Sequence, residues 1–286
     1  MLNIPTGAAQ YLERFGDQQV TCTPYALIKL GIDRSSCFLK IDEYTILCAP
    51  FQFGFKRSIF LASLSKQEMT FFQRYLNGVA GLSMLFNLPG RKEPLKLFIR
   101  CSLAAIGPMK GRDNVGLLVV DFKNTPEDFV NILGSFLEQQ ELLRVKWDDF
   151  AKTVIKMTPD TAQLMGYNMY ATITEPNKGG SRIQVFSLSS KKIEHLESMN
   201  SPERPGGTSV AYQLYFKKYR VSVGGTIEST HRLPTGIVKT QASLAFSPEL
   251  VEILDDYHFA ERARRLAGDQ QTAGIQQPSI NPSIKQ

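Results

Sequence analysis

The chain has 286 residues, of which 43% are hydrophobic and 21% charged, and its formal net charge is +6. This composition excludes global disorder and supplies apolar material for packed cores, and at about 100 to 150 residues per domain the length points to two domains. The positive excess admits anionic partners but falls short of the dense Lys/Arg clustering of a dedicated DNA-binding surface.

The first block is sheet-dominated. AAQYLERF (8–15) has helical spacing, and after QVTCT (19–23) the stretch PYALIKLGI (24–32) predicts a short helix closed by Gly31. CFLKI (37–41), YTILCAPF (44–51) and RSIFLASL (57–64) are rich in β-branched and aromatic residues and predict strands. In SKQEMTFFQRYLNG (65–78), Ser65 followed three residues later by Glu68 is a capping box and Gly78 is the expected stop. VAGLSMLFNL (79–88), PLKLFIRCSLAAI (94–106) and NVGLLVVDF (114–122) resume the strand pattern, giving an antiparallel barrel interrupted by one helix. TPEDFVNILGSFLEQQELLRVKWDDF (125–150) predicts the longest helix, with Thr125 as cap, Pro126 at the first helical position and acids in the first turn.

The second block alternates short strand-like runs with Gly/Pro turns. NMYATITE (168–175), SRIQVFSLS (181–189), AYQLYFKKYRVSVGGTIES (211–229) and GIVKTQASLAF (236–246) are separated by EPNKGG, NSPERPGG and RLPTG, which predicts a second small barrel. SPELVEILDDYHFAERARRLAG (247–268) predicts a closing helix stopped by Gly268, and the Gln-, Ser- and Pro-rich remainder predicts a disordered tail. The expected fold class is therefore mainly β with flanking helices: two small antiparallel barrels joined by a long helix. The expected division is 1–145, 146–268 and a tail of 269–286.

Little in the sequence points to catalysis. Cys22, Cys37, Cys48 and Cys101 have neither CxxC spacing nor a histidine partner and predict core thiols in a reducing cytoplasm. His195, His231 and His258 stand at no ligand or triad spacing and read as structural or surface residues. Gly224 and Gly225 lack a following helix to receive a phosphate, so a bulge or turn is the simpler reading. FKKYR (216–220) alternates cations with aromatic rings, as a nucleic-acid contact would, although the same alternation describes a strand with one solvated face. Asp148 and Asp149 read as solvated residues at a helix end. The N-terminus carries no basic-then-apolar leader, and no run of about eighteen apolar residues occurs, so the expectation is a cytoplasmic chain without membrane insertion.

The order of a barrel, a long helix opening TPEDFVNILG, a basic arm KTVIKMTPD, the phrase MTPDTAQLMG, a small barrel and a terminal helix resembles the spirochaetal PilZ-type proteins. In these a PilZ-like N-terminal domain precedes a PilZ barrel that senses cyclic di-GMP. The resemblance implies an RxxxR arm and a D/NxSxxG strand element converging on one ligand. Guanidinium forks hold phosphate and guanine edges while the short polar element meets the guanine. Carried onto this chain, the arm falls on Lys152 and Lys156, which keep the spacing and charge but lose the planar fork. The strand element falls on VFSLSS (185–190), where Ser187 keeps the serine, Val185 replaces the acid or amide and Ser190 replaces the glycine.

The resemblance thus implies a non-enzymatic regulator of the cyclic di-GMP network with a degenerate signature, controlling motility or a related behaviour through contacts with a flagellar or regulatory protein. It needs no cofactor, with cyclic di-GMP as the candidate ligand. An alternative is a working receptor that uses the lysine arm with Arg144 or Arg182. Two further readings are a nucleic-acid binder through FKKYR, ranked low, and a flavin-binding split-barrel enzyme, for which no residue speaks.

Overall fold

The computed structural model describes residues 7–176 and 178–273, which divide into two compact units, 1–139 and 140–286. Both contain the small antiparallel barrel that the strand pattern predicts.

In the first unit, α1 (Gly7–Phe15), β1 (Gln19–Thr21) and α2 (Pro24–Leu30) precede β2 (Phe38–Ile41), β3 (Tyr44–Gly54) and β4 (Arg57–Ser63). After α3 (Lys66–Phe72) come β5 (Val79–Phe86), β6 (Leu95–Met109) and β7 (Arg112–Phe122), and then α4 (Glu127–Phe150), which continues into the second unit. The strand order β1-β3-β2-β5-β6-β7-β4, with β3 also paired to β4, closes six strands into a barrel and leaves β1 on its outside. Alternation drives this arrangement: along β4 every second residue is buried, so one face fills the core. Phe129 from α4 anchors the helix, its ring lying 5.6 Å from Phe53, 6.4 Å from Phe86 and 5.7 Å from Phe122 between centroids.

Local signals set several boundaries. Thr23 caps α2 by accepting from the Ala26 amide at 3.2 Å, and Gly31 ends it in a left-handed conformation at φ +70°. The Ser65–Glu68 capping box opens α3. The helix expected to reach Gly78 stops at Phe72 and gives way to a tighter turn over Gln73–Tyr75. Asn77, at φ +63°, makes the reversal one residue before the glycine. Thr125 does not act as the expected cap; its hydroxyl donates to the Phe55 carbonyl at 2.6 Å, and α4 begins at Glu127.

The second unit contains β8 (Ile155–Lys156), α5 (Pro159–Met165), β9 (Tyr167–Thr174), β10 (Ser181–Leu188) and β11 (Lys192–Glu197). These are followed by β12 (Ser209–Phe216), β13 (Arg220–Arg232), β14 (Val238–Leu244) and α6 (Pro248–Ala273). The order β11-β14-β13-β12-β9-β10-β8, closed by β10 on β11, gives a six-stranded barrel with β8 added at its edge. Leu250, Ile253 and Leu254 of α6 and Ala162 and Met165 of α5 join its core.

Here too the structure corrects several expectations. The run 211–229 is two strands, joined at residues 217–219 where the Phe216 amide donates to the Tyr219 carbonyl. Gly224 and Gly225 lie within β13 rather than at a bulge, which falls between Ile227 and Ser229. A Cβ on Gly225 would stand 2.8 Å from Tyr212 Cε2 and 2.8 Å from the Ser243 carbonyl oxygen, so the glycine makes room for a buried ring. The terminal helix passes Gly268 and reaches Ala273; the remainder of the expected tail, 274–286, lies outside the described residues.

Candidate ligand site

β8 places the arm against the strand element. Ile155 and Lys156 pair with Leu188 and Ser187 of β10, so Lys156 and Ser187 are cross-strand neighbours. Ile155 is buried while Lys156 faces solvent. Lys152, just past the end of α4, is exposed and its Nζ lies 3.1 Å from Asp149 Oδ1. The two lysines thus keep their charges at the surface.

The serines behave differently. Ser187 is buried and donates from Oγ to Glu194 Oε2 at 2.9 Å, across the β10–β11 pair. Ser190 is fully buried; its Oγ donates to the Trp147 carbonyl at 2.5 Å, and Trp147 Nε1 donates back to the Ser190 carbonyl at 2.9 Å. Lys191 reinforces this clamp, with Nζ 4.4 Å from the Trp147 ring centroid and 2.6 Å from Asp148 Oδ1. Asp148 and Asp149 remain exposed, as expected, although each holds a lysine. Arg144 lies over Phe246 at 4.3 Å, and that ring meets Trp147 edge-on at 5.7 Å. The structure therefore gathers Ser190 and Arg144 around Trp147, and Lys156 beside Ser187. Arg182 lies apart, five residues back along β10 or about 16 Å at the rise of a strand.

Arg182 belongs to a second group. Its guanidinium lies 5.4 Å from the Tyr170 ring, Tyr170 is 5.1 Å from Tyr215, and the Arg220 guanidinium lies 5.4 Å from Tyr215. Cation, ring, ring and cation thus follow one another over the neighbouring strands β10, β9, β12 and β13. Arg182 also borders a groove of about 740 Å³ lined by Met169, Gln184, Leu196, Ser198 and Ser201. FKKYR contributes only in part to this surface. Lys218 pairs with Asp256 at 2.7 Å, and the Tyr219 hydroxyl donates to Glu252 at 2.8 Å, which ties both residues to α6.

Where β11 ends, the barrel has a polar interior. Arg204, from the NSPERPGG loop, is buried, pairs with Glu197 through Nη1 and donates from Nε to Glu175 Oε1 at 2.9 Å. His195 Nε2 lies 3.2 Å from Glu197 Oε1. Burial pushes the Glu197 carboxyl up, but hydrogen bonds with His195 and Arg204 and the Arg204 charge outweigh it and hold the group below the ordinary glutamate range. Among the described residues no cluster of His, Cys, Asp and Glu has the arrangement of a metal site.

Residues 7–140 match the PilZN3 domain family. The match falls on the first unit and covers just under half of the chain. No curated protein matches the chain. Among solved structures it is similar to the PlzA protein of Borreliella burgdorferi in complex with c-di-GMP, at 12% identity over 87% of this chain and 97% of that one, with a TM-score of 0.44. It is also similar to YcgR of Escherichia coli in complex with c-di-GMP, at 11% identity over 90% and 97%, TM-score 0.30. A third likeness is to the inhibitor of motility MotI/DgrA of Bacillus subtilis, at 9% identity over 82% and 96%, TM-score 0.26. At these values nothing about ligand or partner passes from them to this chain.

Within the first unit Cys37, Cys48 and Cys101 sit in the barrel core, whereas Cys22, expected there too, is only partly buried. Cys37 and Cys48 are buried and burial pushes each up to about 12, which leaves them protonated and unreactive at neutral pH. No helix of the described residues is long and apolar enough to cross a membrane. Sequence reasoning missed Arg204, Glu175, Glu197 and the Tyr170–Tyr215 pair. Each depends on strand register, and no spacing in the sequence signals it.

Proposed function

We propose that this chain is a non-enzymatic PilZ-type regulator of the cyclic di-GMP signalling network that acts mainly through contact with a protein partner, with nucleotide binding at the signature position weak or lost. The observation that carries this reading is the use made of the signature positions. The Ser187 and Ser190 hydroxyls are buried and bonded to Glu194 and to the Trp147 carbonyl. Lysines stand where arginine forks are needed, and Lys152 is held by Asp149. An ammonium group neutralises phosphate but offers neither a planar fork nor a stacking face. Losing one bidentate contact costs about 1 to 3 kcal/mol, so losing two removes a micromolar site. Thermal melting of the full chain with and without cyclic di-GMP tests this, since a ligand bound to the folded state raises Tm according to its saturation. An unchanged Tm at millimolar nucleotide is expected, and a rise of several degrees would contradict it.

The Arg182–Tyr170–Tyr215–Arg220 series favours a second reading, a working receptor whose planar base lies beside Arg182 in the adjoining groove. It predicts binding that Arg182→Ala abolishes and that the double change Lys152→Ala, Lys156→Ala leaves intact.

A further inference from the structure

On the outside of the first unit's barrel, four neighbouring strands place Leu47, Phe38, Ser83 and Phe98 in one transverse row, each the direct partner of the next. Leu47 is 57% exposed, Phe38 38% and Phe98 66%. With strands about 4.8 Å apart, the row crosses about 14 Å of surface. A Cβ on Gly81 would come within 2.5 Å of Phe98 Cζ and 2.6 Å of Cε2, so the Cζ–Cε2 edge of the ring covers that glycine while the side chain stays two-thirds exposed.

Covering a glycine in a sheet is a stabilising device in its own right and accounts for the pose of Phe98. It does not explain why Leu47 and Phe38 extend the exposed row, nor the cations around it. Lys40 and Arg100 both pair with Gly81, and Lys96 pairs with Leu85. The remaining cross-strand neighbour of Lys40 is Thr45, so no carboxylate faces these cations across the ladder. Asp42 and Glu43 sit beyond the row, in the turn that joins β2 to β3. Among the described residues Lys40, Lys96 and Arg100 form no ion pair, in contrast to Arg57, which holds Asp121 at 2.5 Å on the same barrel.

We infer that this row is a docking surface for an acidic segment of a partner protein that carries apolar side chains. Unpaired cations at the rim attract and orient acidic groups, and the exposed rings and leucine supply the apolar anchor. A single-stranded nucleic acid is the poorer fit, because stacking needs successive aromatic faces and the far end of this row is Leu47. The inference rests on the reading of the chain as a regulator that works through protein contact.

The test uses the full chain and a fluorescein-labelled peptide of about twelve residues in which glutamate alternates with leucine, long enough to cross the row. Fluorescence anisotropy should show saturable binding that weakens at least about tenfold in Phe98→Ser and in Arg100→Glu, and no binding of the lysine–leucine counterpart. Lys40→Glu, an exposed change, and Leu47→Ser give the same readout should Phe98→Ser fail to fold. The proposal is overturned if the acidic peptide does not bind or binds all variants equally. It is overturned equally if oligothymidylate binds more tightly than the peptide, or if Phe98→Ser instead abolishes a dimer seen by sedimentation. A cyclic di-GMP titration of the same sample is independent of these outcomes: tight nucleotide binding would defeat the claim that the nucleotide site is weak or lost while leaving the peptide result to decide the docking surface.

Discussion

Arg204 shows at the scale of one residue what barrel closure does to a charge. The side chain is buried against two carboxylates that lie seven and 29 residues away in sequence. Removing one partner of a buried ion pair leaves the other uncompensated, so Arg204→Ala should cost about 3 to 5 kcal/mol, seen as a lower urea midpoint for the second unit. An unchanged midpoint would mean that the pairing is not formed in solution. The same cluster sets a pH dependence. The Glu197 carboxyl is held below the ordinary range in the folded chain, so its contribution is present above the unfolded value and is lost as pH falls through the folded one. Stability should therefore fall as pH drops from about 5, and more shallowly in Glu197→Gln. None of this was legible in NSPERPGG, which reads only as a turn. Lys152 and Lys156 were legible as charges at a telling position, whereas the engagement of Ser187 and Ser190 depends on Glu194 and Trp147, which no spacing connects to them.

At the scale of elements, α4 supplies the sharpest test. A Cβ on Gly134 would stand 2.2 Å from Tyr11 Cγ of α1, so this mid-helix glycine marks a close helix contact. On an exposed helix Gly→Ala stabilises by about 1 kcal/mol; here the ring must move, and Gly134→Ala should lower stability by about 1 to 3 kcal/mol in thermal or urea unfolding. A rise in stability would show that α1 does not pack there. Elements with local stop and start signals were legible: Thr23 with Pro24 and Gly31, and the Ser65–Glu68 box. α5 carries the same grammar, Thr158 as cap and Gly166 at φ +65°, and at seven residues equals α2 in length, so it was equally legible; MTPDTAQLMG entered the sequence reading only as a phrase of the resemblance. β11 escaped notice for a physical reason. Its inward positions include His195 and Glu197, so its polar interior breaks the alternation on which strand reading depends.

For the whole molecule, alternating strands and Gly/Pro turns were enough to indicate two small antiparallel barrels, because each needs only one apolar face per strand. Which strands meet to close them, β3 with β4 and β10 with β11, follows from pairing over longer separations and was not readable. The same limit governs function. The sequence offered Lys152, Lys156, Ser187 and Ser190 as candidate positions, but only strand register showed one serine bonded inside the sheet and the other clamped to a helix. Calorimetric titration of the full chain with cyclic di-GMP tests this central claim most directly. The buried serines and lysine arm predict no saturable heat up to about 100 micromolar nucleotide; saturable binding tighter than about ten micromolar that disappears in the Lys152→Ala, Lys156→Ala double variant would contradict it.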